Sequence, residues 1–170
     1  GNSIMNYVAG RNMTGLVDLL LESECTIDRS NNEGETPLLR AVSMDNEEVA
    51  MKLLNHGASP HANDIPDNTV MHYAVERNMP ALVDLLLKCR CHIDSGNNEG
   101  VTPLMKAALM GKEDVAIKLL QHGANPHAVS KSGNSVIHYA TKGNNSRLVT
   151  LLSKYDYNGK NCADENSSKR

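Results

Sequence analysis

Histidine, cysteine and the carboxylates are the side chains with which this chain could hold a metal ion or move a proton. Its 170 residues include seven His, four Cys and twenty Asp plus Glu. Structural zinc sites draw their ligands in close pairs such as C-x-x-C. Cys25, Cys89, Cys91 and Cys162 contain no such pair. Six of the histidines form three couples, His56 with His122, His61 with His127 and His72 with His138, each separated by 66 residues. The seventh, His92, belongs to no couple and is expected in a loop. Nucleophilic catalysis needs a Ser or Cys beside a base that a third group orients, and no such constellation stands out. Carboxylates such as Glu47-Glu48 and Glu113-Asp114 sit where helices should begin and complement the helix dipole. Gly111-Lys112 lacks the preceding glycine spacing of a phosphate loop. These patterns point away from catalysis, and neither a metal nor any other cofactor is expected.

The separation of 66 is the chain's organising period. Asn31-Asn32-Glu33-Gly34-Glu35-Thr36-Pro37-Leu38 returns as Asn97-Asn98-Glu99-Gly100-Val101-Thr102-Pro103-Leu104. Aligned without a gap, residues 1–66 and 67–132 share 36 identities. The unit divides again, because Gly1, Gly34, Asp67, Gly100 and Gly133 open five equivalent segments of 33 residues. A period in this range signals stacked supersecondary units. Each segment reads as a turn, a short apolar helix, a tight link, a longer apolar helix and a loop. In the second, Thr36 is placed to cap a helix with Pro37 at its first position, where the missing N–H costs nothing. Ala41, Val42 and Met44 follow on that helix. Val49, Leu53 and Leu54 form the stripe of the next one, which Gly57 ends in a left-handed conformation.

Gly34-Glu35-Thr36-Pro37-Leu38 with His56-Gly57-Ala58, and their copies at 100 and 122, resemble the ankyrin repeat in signature, offset and period. The resemblance implies an all-α solenoid of five stacked repeats, each a helix-turn-helix with a projecting β-turn finger. The array covers residues 1–157 and a polar tail covers 158–170. Fingers and first helices would form a concave side that binds a protein partner. The resemblance also gives His72 and His138 a structural hydrogen bond at the capping Thr69 and Ser135, and Cys25 and Cys91 become equivalent packing positions. We read all four cysteines as packing residues. Two repeat types alternate: the second and fourth keep Thr-Pro-Leu followed by Arg40 or Lys106, the third and fifth keep His-Tyr-Ala. That alternation is similar to POTE-type ankyrin arrays.

Composition narrows the partner. The formal charge is −3, and five Tyr supply every aromatic ring. A basic field for a phosphate backbone and a surface of stacking rings are both missing, so no direct nucleic-acid partner is expected. The apolar runs are too short for a membrane span. The expected compartment is cytosol or nucleus. Repeat one keeps Ile4, Met5, Val8, Leu16, Val17 and Leu20, whereas repeat five substitutes Thr141 and Ser153 for Val75 and Leu87. An end repeat needs a polar outer face, so the chain is expected to be part of a longer one. Tyr7, Tyr73 and Tyr139 form an equivalent trio that either packs on the next repeat or faces a partner.

Candidate partner-binding residues are those that vary between aligned repeats while the framework stays constant. They are Asn32, Glu33 and Glu35 with Ser43 and Met44; Ile65, Pro66 and Asn68 with Glu76 and Arg77; Asn98, Glu99 and Val101 with Leu109 and Met110; and Lys131 and Asn134 with Lys142. Met44, Ile65, Pro66, Val101, Leu109 and Met110 are apolar at positions expected to face solvent, the mark of an interaction patch. Lys52 and Lys118 are expected on the opposite, exposed face of the second helices. The function expected is a non-catalytic interaction module or scaffold. The alternatives are an inhibitor-type array masking a transcription factor, in the manner of the NF-κB inhibitors, and a small-ligand receptor. The mixed-sign tail speaks against the first and the missing Trp and Phe against the second.

Overall fold

Among the described residues, ten helices follow one another in five pairs. The computed structural model describes residues 1–23 and 25–158, with side chains as far as Tyr155. The first helices of the pairs are α1 (Ile4–Gly10), α3 (Pro37–Ser43), α5 (Val70–Glu76), α7 (Pro103–Leu109) and α9 (Val136–Lys142). The second helices are α2 (Thr14–Glu22), α4 (Glu47–Asn55), α6 (Pro80–Lys88), α8 (Glu113–Gln121) and α10 (Ser146–Asn158). Beyond Asn158, the tail expected at 158–170 lies outside the described residues. Each first helix starts after a Ser or Thr: Thr36, Thr69, Thr102 and Ser135, as the sequence marks, and also Ser3. Thr36 Oγ1 accepts from Leu39 N at 3.3 Å and Thr102 Oγ1 from Met105 N at 3.3 Å. The five equivalent link residues between paired helices, Asn12, Asp45, Asn78, Gly111 and Asn144, all have positive φ. Only residues that tolerate the left-handed region stand there. Met44 is the cap that ends α3 rather than part of the helix.

First helices pack on first helices and second on second along the stack. The core between them is aliphatic, with Leu38, Leu53, Leu86, Leu104 and Leu119 fully buried. Among the described residues there is no strand, only the isolated bridges Asn63 to Thr69 and Val129 to Ser135 inside fingers. Neighbouring fingers are tied through backbone amides, Ile65 N to Glu33 O at 3.3 Å, Asn98 N to Pro66 O at 2.9 Å and Lys131 N to Glu99 O at 2.9 Å. This is the all-α repeat solenoid that the resemblance implies.

The junctions between repeats are of two kinds. From repeat one to two, Lys52 reaches Asp18 at 2.7 Å, Asn46 Nδ2 donates to Ala9 O at 2.7 Å, Asn6 Nδ2 donates to Glu35 O at 3.0 Å, and Asp28 accepts from Ser59 N at 3.1 Å. From three to four, three of these four return, Lys112 standing in the place of Asn46. Lys118 reaches Asp84 at 2.7 Å, His72 takes the place of Asn6 on Val101 O at 2.8 Å, and Asp94 accepts from Asn125 N at 2.9 Å. Lys106 adds a pair with Glu76 at 2.6 Å. The junctions from two to three and from four to five rest on other contacts, Leu82 N to Glu47 at 3.2 Å in one and Arg147 to Glu113 at 2.8 Å in the other. Lys52 and Lys118 are therefore partly buried cross-links between repeats, not the exposed positions expected from the sequence. The hydrogen bond to Asp18 above all raises the Lys52 pKa.

Repeat one leaves its outer face uncovered. Ile4 is 69% exposed, and Tyr7, Leu16 and Leu19 are exposed beside it. The equivalent Val70 and Leu82 of repeat three are fully buried by repeat two. In repeat five the hydroxyls of Thr141 and Ser153 turn back to Ile137 O and Val149 O of their own helices, at 2.9 and 2.8 Å.

Candidate functional site

A finger projects because its base is pinned. Asn31 Oδ1 accepts from Glu33 N and Glu35 N, both at 2.9 Å, and Asn97 Oδ1 accepts from Glu99 N and Val101 N, both at 3.0 Å. In repeat three Asp64 takes over, accepting from Asn68 N at 2.7 Å. The tips held this way carry Asn32, Glu33, Ile65, Pro66, Asn98, Glu99 and Lys131, all exposed. At the far ends of the first helices Met44, Arg77, Met110 and Lys142 are exposed as well, and Asn134 is exposed at the base of the last finger.

Three of the residues expected to meet a partner instead belong to the framework. Val101 is only 7% exposed because its carbonyl receives the His72 Nε2–H across the junction. Glu35 is buried under its own finger, where it accepts from Asn31 Nδ2 and pairs with Arg40, both at 3.0 Å. Ser43 is buried and donates to Arg40 O at 3.1 Å. Variation between repeats at these positions therefore does not mark exposure to solvent. Glu76, Asn68 and Leu109 are half-buried. Glu76 is held by Lys106, and Asn68 accepts from Asn97 Nδ2 at 3.0 Å.

Between repeats four and five, on the side of the fingers and first helices, lies a groove of about 540 Å³. Leu109, Tyr139 and Val101 supply its apolar lining, and Glu99, Asn134 and Lys142 polar edges. Lys106, His138 and Tyr139 reach it although comparison of repeats did not select them. Tyr139 belongs to the trio whose role the sequence left open, and the three behave differently. Tyr73 is half-buried and donates its hydroxyl to Asp64 at 2.7 Å; burial, then that carboxylate, pushes its pKa up. Tyr7 is exposed, with the Arg11 guanidinium 5.2 Å from its ring centre.

The histidines take the capping role that the resemblance implies. Thr69 N donates to His72 Nδ1 at 3.0 Å and Ser135 N to His138 Nδ1 at 3.1 Å. With Nδ1 accepting, the neutral His72 ring carries its proton on Nε2 and donates it to Val101. Burial lowers its pKa, aided by nearby Lys106 and opposed by the Val101 bond and Asp64. His92 lies in a loop with its ring 5.5 Å from that of His61. Among the described residues no three His, Cys, Asp or Glu stand together as metal ligands. Cys25 and Cys91 are half-buried and pack on the core, and burial pushes the Cys91 thiol up to about 11. Cys89 departs from the packing role, since it caps the end of α6 in solvent. Cys162 lies outside the described residues.

Comparison with known proteins then decides the family. The profile described as Ankyrin repeats matches three times, over residues 1–64, 53–130 and 71–166. This chain belongs to the ankyrin-repeat family. Ankyrin repeats are protein-interaction modules. Among its relatives, Neurogenic locus notch homolog protein 2 of Homo sapiens is 29% identical over 140 residues, covering 82% of this chain and 6% of the relative. B-cell lymphoma 3 protein homolog of Mus musculus is 34% identical over 131 residues, covering 74% of this chain and 29% of the relative. The ankyrin array thus spans less than a third of the length of either. These relatives lend no support to the POTE-type likeness.

Proposed function

We propose that this chain is a non-catalytic interaction array whose protein partner lies along the concave side, across the fingers and first helices of repeats two to five. The observation that carries the reading is the groove between repeats four and five, continued by apolar side chains left in solvent on the same side. Ile65 is 67% exposed, Met44 47% and Met110 41%. Adjacent exposed apolar groups mark interaction surfaces, and a few such anchors carry most of an interface's energy. The compartment we propose is cytosol or nucleus, where half-buried thiols such as Cys25 and Cys91 stay reduced.

The test is a variant scan against a partner captured with the whole chain. Met110→Asp and Ile65→Asp should each weaken binding by about 2 kcal/mol or more. Asn55→Arg and Gln121→Arg, exposed at the ends of the second helices, should leave it unchanged. Circular dichroism on every variant separates lost binding from lost folding. Binding abolished by the second pair and untouched by the first would move the site to the convex side.

A further inference from the structure

The five first helices end on equivalent residues, and what stands there alternates in chemistry. The caps are Arg11, Met44, Arg77 and Met110 in repeats one to four. In repeat five the cap is Gly143 and the cation is Lys142, one residue earlier. Since α1, α3, α5 and α7 pack in sequence, the cap positions of repeats one to four form one line along the stack, reading cation, methionine, cation, methionine; Lys142 stands one residue off this register at the end of α9. All five residues are exposed.

The cations on this line differ from those a few residues away. Arg40, Lys52, Lys106, Lys118 and Arg147 are each held by a carboxylate of the protein. Among the described residues no carboxylate pairs with Arg11, Arg77 or Lys142, and Arg11 meets only the Tyr7 ring. Two acids neighbour the line in sequence, Asp45 beside Met44 and Glu76 beside Arg77, and Glu76 is already taken by Lys106 at 2.6 Å; the other link residues, Asn12, Asn78, Gly111 and Asn144, are neutral. The negative charge of the concave side stands instead on the opposite edge, at the fingertip residues Glu33 and Glu99. Cations at helix ends complement the helix dipole, but that gives no reason for the methionines exposed between them.

Resting on the concave-side reading above, we infer that the partner presents an extended acidic segment along this line, with carboxylates on Arg11 and Arg77 and apolar side chains on Met44 and Met110. Packed helices lie about 8–10 Å apart, and an extended chain of the polyproline II type rises about 3.1 Å per residue with about three residues per turn, so that every third side chain faces the same way. One step of the stack therefore takes about three residues, and acidic residues recur about every six with an apolar residue midway. Methionine suits the apolar contact, being unbranched and adaptable.

Fluorescein-labelled synthetic peptides test this by anisotropy against the whole chain. One peptide repeats Asp-Ser-Ser-Leu-Ser-Ser three times, a second replaces Asp by Lys, and a third replaces Leu by Ser. The first should bind about tenfold more tightly than either other and weaken as salt rises. Arg77→Glu and Met110→Ser should each lower its affinity about fivefold or more, with unchanged circular dichroism. Equal binding of the three peptides, binding of none, or indifference to Arg77→Glu overturns the inference. The two readings fail separately. A captured partner lost with Ile65→Asp but indifferent to Arg77→Glu keeps the concave site and removes the acidic segment. A partner indifferent to every concave variant removes both.

Discussion

His72 does at one residue what distinguishes one junction from the next. Its Nδ1 closes the cap of α5, and its Nε2–H crosses to the buried carbonyl of Val101. The first bond requires the neutral ring, because a protonated Nδ1 cannot accept, whereas the second favours the charged form and only partly offsets burial. Burial holds its folded pKa below the ordinary value of about 6.5. Between those two values the unfolded chain binds more protons than the folded one, so stability rises with pH there. The contribution is whole above about pH 6.5 and declines as pH falls through the window toward the lowered pKa. Asn6 makes the equivalent bond to Glu35 O without titrating. We therefore expect His72→Asn to fold and to flatten the pH dependence of the urea midpoint between about pH 7.5 and 5. A variant whose midpoint falls with acid as steeply as the parent's would assign that dependence to other groups. The cap was legible in the sequence through the family resemblance, whereas the bond to Val101 was not. Two residues 29 apart meet only when one repeat is stacked on the next.

At the scale of elements, helix pairs and links were the most legible part of the chain. A 33-residue period with Thr-Pro at helix starts fixes where each helix begins, since the cap is a local bond between neighbours in sequence. How closely two first helices approach was not written there. Gly143 shows the difference. A Cβ at that position would stand 2.3 Å from Leu109 O and 2.5 Å from Ala108 O, so α9 can dock on α7 only with glycine there. At Gly111, with φ of +66°, a Cβ meets nothing within 4 Å, and Asn holds the equivalent link in three other repeats. Gly143→Ala should cost about 1–3 kcal/mol by overpacking, against a few tenths for Gly111→Asn, read from chemical denaturation. Equal losses would mean that the approach of α9 to α7 does not depend on that glycine. The candidate surface was legible only in part for a related reason. Glu35, Ser43 and Val101 vary as fingertips do, but they are buried and held by bonds that form only once the fingers and helices are folded and stacked.

The whole molecule is a stack of two-repeat blocks. Repeats one and two, and again three and four, share three cross-links that the joints between blocks lack. Stability in such an array is a sum of repeats and nearest-neighbour interfaces, so unlike interfaces matter to how the chain can change length. Removing residues 67–132 brings repeat two against repeat five and keeps every remaining joint of a native kind. Removing residues 34–66 brings repeat one against repeat three. Asp18 would then face Leu85 in place of Lys52, and the Ala9 carbonyl would face Met79 in place of Asn46. The first deletion should melt in one cooperative transition by circular dichroism. The second, though a repeat longer, should melt in two, parting at the mismatched joint; a single sharp transition at the parent's midpoint would show the joints to be interchangeable. If they are not, the heritable unit of growth in this chain is the block of 66, and a gene that gained or lost 33 codons would encode a protein with a seam.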